Sequence, residues 1–407
     1  MIEVTNQEVN ELVEWLSSIS DVEGPGTTRL LYSPAWIRAV KGLEEKMREL
    51  GMKIEYDAVG NLFGTIEGTE EPDSIIATGS HVDTVVHGGA YDGQLGIVAG
   101  LIAIRALLRN GKPKKSLRLI VMAEEEGSRF PYAFWGSKNI FGLADNNDVI
   151  DIEDSEGIKF VDAMRDAGFD FLEGEPQFKD MDAFIELHVE QGNTLEMEEL
   201  AVGVVNAIVG QKRYGITLKG EANHAGTTKM CYRRDVVEAM SRMIQSSIDM
   251  AKEEGDPLVL TFGRVSVEPN VVNVVPGEVL FSMDCRHPNQ YVLDEFTEKV
   301  ENNMRNIAEG MNIEIDIDNW MDEPPVKMDD DIVNLLEKVC EDYQLDYQVM
   351  HSGAGHDSQI FGPHVPTAMI FVPSVKGISH NVEEYTKTED IVQGVKALAE
   401  GLKRLAY

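Results

Sequence analysis

The chain has little cysteine. Cys231, Cys285 and Cys340 are widely spaced and odd in number among 407 residues. That excludes a disulfide framework and a zinc knuckle, and leaves buried free thiols as the expectation. No run of about 18 uncharged apolar residues occurs, so no transmembrane helix is expected. The opening stretch MIEVTNQEVNELVEWL is acidic and amphipathic. A signal peptide needs a basic start and an apolar centre, so a cytoplasmic protein is expected. Basic side chains are also scarce: 36 Lys and Arg face 71 Asp and Glu, a formal net charge of −35. Such a field repels phosphate backbones and argues against a nucleic-acid partner. It repels small anions too, but salt screens that repulsion beyond about 8 Å. A local arginine cluster can therefore still hold an anionic substrate, and solubility accounts for the rest of the charge. Internal repeats and low-complexity tracts are absent.

What is present is 43% hydrophobic and long enough for two or three domains. Short apolar runs alternate with amphipathic stretches in the first half, the pattern of a mostly parallel sheet wrapped by helices. SIIATGS, SLRLIVMAEEEG and AFIELHVEQG read as strands. PAWIRAVKGLEEKMRELG reads as an amphipathic helix stopped by Gly51. DGQLGIVAGLIAIRALLRNG reads as a second helix, with Leu101, Ile104 and Leu108 at helical spacing and Gly111 as its stop. Near residue 208 the order becomes β-α-β-β-α-β, the ferredoxin-like split arrangement. After it a helix, the strand TAMIFVPS and a closing helix follow. The expected fold is α/β: a mostly parallel mixed sheet flanked by helices, residues 1–207 and 323–407. An α+β domain, 208–322, is inserted into it.

Four apolar strands share one habit. SIIATG ends at His81, LRLIVMA at Glu124, Glu125 and Glu126, and AFIEL at His188 with Glu190 and Gln191 beyond; TAMIFVPSVKGIS precedes His380. In an open parallel sheet the carboxyl ends lie along one edge, where ligand sites collect. Imidazoles and carboxylates from distant segments would converge there, with Asp92 joining them at the start of a helix. Nitrogen and oxygen donors without cysteine suit zinc, manganese or cobalt rather than a structural zinc site. A carboxylate can bridge two ions about 3.5–4 Å apart. Asp92 is the best placed for that, with Asp83 orienting His81. Singly, each residue has a plainer reading: Asp92 as a helix cap, the histidines as hydrogen-bonded core, the glutamates as a solvated loop. Only their joint position favours metal. His356 and Asp357, in the glycine-rich SGAGHDSQ, read as a structural turn.

The motifs GSHVDTV, GGAYDGQLG, EEEGSRFP, ELHVEQG, GEANHAGTT, NVVPGEV, DCRH, SGAGHD and FVPSVKGISHN run along nearly the whole chain. Together they resemble the amidase and carbamoylase branch of the dinuclear-metal peptidase superfamily. TRLLYSPAW, GSRFPYAFWGSKNIFGLA, VVNAIVGQKRY and DPLVLTFGRV are most similar to the allantoate amidohydrolase (allantoate deiminase) group within it. Lys229 and Val382 stand where these motifs commonly carry proline, which affects loop shape rather than chemistry.

The resemblance implies the following roles. His81, Asp92 and His188 would hold one divalent ion; Asp92, Glu126 and His380 would hold a second. Manganese or zinc is expected, with cobalt also compatible. The glutamate triplet offers three candidates for two tasks. Aligning on Gly127-Ser128-Arg129-Phe130 makes Glu125 the general base and Glu126 the ligand. His224 would stabilise an oxyanion, and Gln191, Arg213, Asn273 and Arg286 would hold substrate. The inserted domain would serve as lid and dimerisation unit of a homodimer. The implied activity is hydrolysis of a ureido C–N bond: allantoate to ureidoglycine, ammonia and carbon dioxide, in purine degradation through allantoin. An N-carbamoyl-L-amino acid amidohydrolase is the alternative. A dipeptidase or aminoacylase, and a scaffold that binds a ureide without cleaving it, are more distant.

Overall fold

The computed structural model describes residues 2–407. They form two compact units, Met1–Asn206 with Met328–Tyr407, and Ala207–Lys327. In the first unit the sheet order is Lys53–Tyr56, Leu62–Ile66, Lys115–Met122, Glu71–His81, Ala183–Val189, Thr367–Val372, Val202–Ile208. Tyr347–Ser352 also pairs with the 202–208 strand. The four central strands, 115–122, 71–81, 183–189 and 367–372, are parallel. Antiparallel strands flank them on both sides. Strands 183–189 and 367–372 are buried along their whole length. That is why they read as unbroken apolar runs: both faces of a parallel sheet are covered. Register places His81 beside Met122 and His188 beside Phe371, so the carboxyl ends line one edge.

Helix Gln94–Leu108 packs between this sheet and the helices Asn6–Ser17 and Thr388–Ala406. Its sequence places Leu101, Ile104 and Leu108 at helical spacing. Every residue but Arg105 and Leu108 is buried, as expected of a helix that is apolar all round and covered on both sides. Helix Pro34–Glu49 starts as its sequence dictates. Pro34 occupies the first turn and Ser33 accepts a hydrogen bond from the Trp36 N–H. No helix among the described residues is long and apolar enough to cross a membrane.

The second unit carries an antiparallel sheet in the order Val265–Glu268, Glu278–His287, Gly210–Lys219, Glu314–Glu323. Val259–Thr261 pairs with the 278–287 strand as well. Helices Val236–Glu254 and Gln290–Gly310 complete the β-α-β-β-α-β order. Period-two alternation sends Tyr214, Ile216, Leu218, Val279, Phe281, Met283 and Cys285 into a core with Met243, Phe296 and Met304. The opposite face carries Gln211, Arg213, Asp284 and Arg286. The compact unit spans Ala207–Lys327, and Val326 and Lys327 pair with Ile208 and Ala207 as the end strand of the nine-stranded sheet.

One buried side chain links the N-terminal segment to the sheet edge. The Arg29 guanidinium donates to the carbonyls of Val82 (2.6 Å), Leu16 (2.7 Å) and Ile19 (3.1 Å) and to Gln94 Oε1 (2.7 Å). Its backbone N–H donates to Thr84 Oγ1 at 2.9 Å. Burial lowers its pKa to about 10. Arg29→Met should leave several buried acceptors unpaired and cost at least about 3 kcal/mol, measurable as a lower urea midpoint.

Candidate metal centre

The centre grows from the ends of the central strands. His81 closes the 71–81 strand, and its Nδ1 lies 3.1 Å from both the carbonyl and the Oδ1 of Asp83. That fixes the ring and leaves Nε2 facing Asp92 Oδ1 at 3.6 Å. His188 is oriented in the same manner: Nδ1 sits 3.0 Å from the Val189 carbonyl, and Nε2 lies 3.3 Å from Asp92 Oδ1. Asp92 does not cap the adjoining helix, because Gly93 holds the cap position without a side-chain bond. Gly93 has φ +65°, and a Cβ there would collide with the His81 ring, so the turn that delivers Asp92 requires glycine.

The other oxygen of Asp92 faces a different set. His380 Nε2 lies 3.0 Å from Asp92 Oδ2 and 3.6 Å from Glu126 Oε2. Gln191 Nε2 and Ser379 Oγ donate to the same Oδ2 at 2.9 and 3.2 Å. Potential ligand atoms thus fall into overlapping groups: His81, Asp92 and His188; Asp92, Glu126 and His380; and His81, Glu125 and Glu126. Within each group they lie within 4.8 Å of one another. Gln191 and His380 both hold left-handed backbone, φ +60° and +53°. That strain is of order 1–3 kcal/mol each and is common at functional sites.

The structure separates the glutamate triplet. The buried Glu124 carboxylate accepts from the backbone N–H groups of Trp135 (3.1 Å) and Gly127, so it braces its own loop. Asp83 accepts from the N–H groups of Glu125 (3.0 Å) and Glu126 (3.2 Å), tying that loop to the His81 support. Asn61 and Trp36 anchor the same segment through the N–H and carbonyl of Ala123, each at 2.8 Å. Glu125 and Glu126 are left facing the histidines.

Electrostatics follow from this crowding. Burial alone would push the Asp92 carboxyl up, but hydrogen bonds from His188, His380 and His81 outweigh it and hold it well below its usual range. Burial pushes Glu125 well up. Burial and the Asp92 charge raise Glu126 to about 7. The bond to Asp92 raises His380 to about 9, against the effect of burial. Burial opposes charge on His81, yet Asp83 and Asp92 hold its pKa well above the ordinary value. Glu126 Oε1 is buried without a hydrogen-bond partner among the described residues. A buried carboxylate oxygen left bare, beside imidazoles with one nitrogen already committed, fits a divalent cation.

The remaining expected residues lie in the second unit. Arg213 and Arg286 share Asp284, with Nε–O distances of 2.8 and 2.9 Å. His224 is exposed in a two-residue ribbon, 223–224, separate from the alternating strand 210–219. Asn273 is its neighbour: Val274 pairs with His224, and the Asn273 carbonyl accepts from Ala225 N–H at 3.0 Å. Strand-end reasoning missed Ser379 and Glu384. Glu384 accepts from the N–H groups of Tyr91 and Asp92. His356, read from the sequence as part of a structural turn, has its ring 4.4 Å from that of His188, and burial drives its pKa well down.

Residues 67–404 match the model of peptidase family M20/M25/M40. The chain is 53% identical over 410 residues to an allantoate amidohydrolase of Escherichia coli (strain K12), covering 100% of both chains. It is 34% identical to an N-carbamoyl-L-amino-acid amidohydrolase of Paenarthrobacter aurescens, covering 98% of each. A solved amidase of the hydantoinase/carbamoylase family from Burkholderia multivorans superposes with a TM-score of 0.93 at 30% identity, over 100% of this chain and 98% of that one. Matched in sequence across nearly its whole length, and in fold to a solved relative, the chain belongs to peptidase family M20/M25/M40.

Proposed function

We propose that this protein is a dinuclear-metal amidohydrolase that cleaves a ureido C–N bond, with allantoate as substrate. The observation that carries the reading is Asp92, whose two oxygens face separate sets of imidazole and carboxylate donors. His81, Asp92 and His188 would hold one ion and Asp92, Glu126 and His380 the other, manganese or zinc fitting the donors and cobalt accepted by them. Bound ions would supply Lewis acidity toward the ureido carbonyl and make a nearby water more acidic.

The chain's own groups do the rest. Glu125, which burial makes the more basic, takes a proton from the attacking water and later delivers it to the leaving nitrogen. His224 donates to the oxygen that gains charge as the carbonyl carbon becomes tetrahedral, a contribution of about 3–4 kcal/mol for one such donor. Arg286 pairs with the substrate carboxylate, and its planar fork sets orientation. Gln191, Arg213 and Asn273 hold the remaining polar groups. Ammonia leaves, the resulting carbamate loses carbon dioxide, and ureidoglycine remains. The second unit serves as lid and dimerisation domain of a homodimer. Identity to the E. coli allantoate amidohydrolase well above that to the carbamoyl-amino-acid enzyme supports allantoate over N-carbamoyl amino acids.

Ammonia release from allantoate and from N-carbamoyl-L-amino acids, assayed side by side on metal-loaded enzyme, should favour allantoate; the reverse preference overturns the assignment. Glu125→Gln should lower kcat about 10²–10⁴-fold while metal content stays unchanged. Loss of an ion in that variant would instead make Glu125 a ligand. Arg286→Ala should raise KM for carboxylated ureides with no change in metal content.

A further inference from the structure

The two donor sets rest on unequal supports. His81 and His188 end buried strands, and each ring is oriented by a bond of its own. His380 rides on the segment after strand 367–372, is half exposed, and faces Asp92 and Glu126. What joins that segment to the turn bearing Asp92 is a buried carboxylate four residues further on. Glu384 Oε2 accepts from the N–H of Tyr91 at 2.9 Å and of Asp92 at 3.2 Å. Its Oε1 lies 2.8 Å from Ser379 Oγ, next to His380. Ser379 Oγ in turn lies 3.2 Å from Asp92 Oδ2. The fit is close: a Cβ at Gly89, in the same turn, would collide with the Glu384 side chain.

We infer that Glu384 is a positioning residue for the second ion, holding the His380 segment and the Asp92 turn in the relation that a cation shared by Asp92, Glu126 and His380 requires. This rests on the two-ion reading of the centre. Glu384 holds both the Asp92 turn and the His380 segment, and the second ion needs both while the first needs only Asp92, so its loss should weaken the second ion more than the first. The role depends on acceptor geometry more than on charge. A glutamine amide can accept from both backbone N–H groups through its oxygen and donate to Ser379 Oγ, whose proton is then free for Asp92.

The test is a calorimetric titration of manganese(II) into chelator-treated full-length protein, with bound metal per chain measured in parallel by elemental analysis. Wild type should take up two ions. Glu384→Ala should keep the first near wild-type affinity and bind the second about 10–100-fold more weakly. Glu384→Gln should restore most of that loss. Ser379→Ala, a smaller change that tests the same link if the alanine variant at 384 does not fold, should weaken the second ion as well. Two ions at wild-type affinity in both Glu384→Ala and Ser379→Ala overturn the inference alone, as does equal weakening of both ions. A wild type that takes up one ion overturns the two-ion reading and this inference with it.

Discussion

Everything at this centre depends on one carboxylate being shared. Asp92 presents one oxygen to two buried imidazoles and the other to a third imidazole, an amide and a hydroxyl. Glu125, Glu126, Asp83 and Glu124 crowd the same edge of the sheet. A buried carboxylate is costly unless paired, and several in one place are costlier still. The bond to Asp92 raises the His380 pKa, and burial and the Asp92 charge raise that of Glu126. A cation held by these groups would compete with protons for the same atoms, so metal binding would be coupled to proton release.

The scaffold makes that concentration of charge possible by assigning each carboxylate a separate task. Glu124 is consumed by backbone N–H groups of its own loop, Asp83 by His81 and the next two N–H groups, Glu384 by the Asp92 turn. Glu186, deeper in the sheet, is satisfied by Ser80 and Ser358. Glu125, Glu126 and Asp92 are left facing the imidazoles. Beneath the glutamate loop, a cluster of Tyr32, Trp36, Trp135 and Phe160 gives it a rigid base. The Trp36 indole N–H and the Tyr32 hydroxyl each end on a backbone carbonyl. Precision at the site thus comes from buried hydrogen bonds that pin backbone, with ligand side chains projecting from what is pinned.

The division into two units fits this economy of roles. The first unit holds every residue of the candidate centre. The second offers a small antiparallel sheet whose one face is core and whose other face presents Arg213 and Arg286 around Asp284. Asp284 lies between the two guanidinium groups and is held below the usual carboxylate range, burial opposing but Arg286 and Arg213 prevailing. In a chain of net charge −35, such local pairing is how an anionic ligand would be held.

By itself, the sequence determined the parallel sheet, the inserted β-α-β-β-α-β unit and the edge on which His81, Asp92, His188 and His380 gather. Those follow from period, run length and the rule that parallel strands end together. Strand ends alone did not separate Glu124 from Glu125 and Glu126, three adjacent carboxylates that are chemically alike until backbone donors claim one; only the resemblance over Gly127-Ser128-Arg129-Phe130 separated them. Nor did the sequence reveal Glu384 or Ser379, whose work is done across nearly 300 residues of chain, by hydrogen bonds to a turn that exists only once the sheet has formed. Local pattern encodes which elements form; which polar atoms find one another is decided by tertiary contact, since a hydrogen bond depends on distance and direction and not on order along the chain.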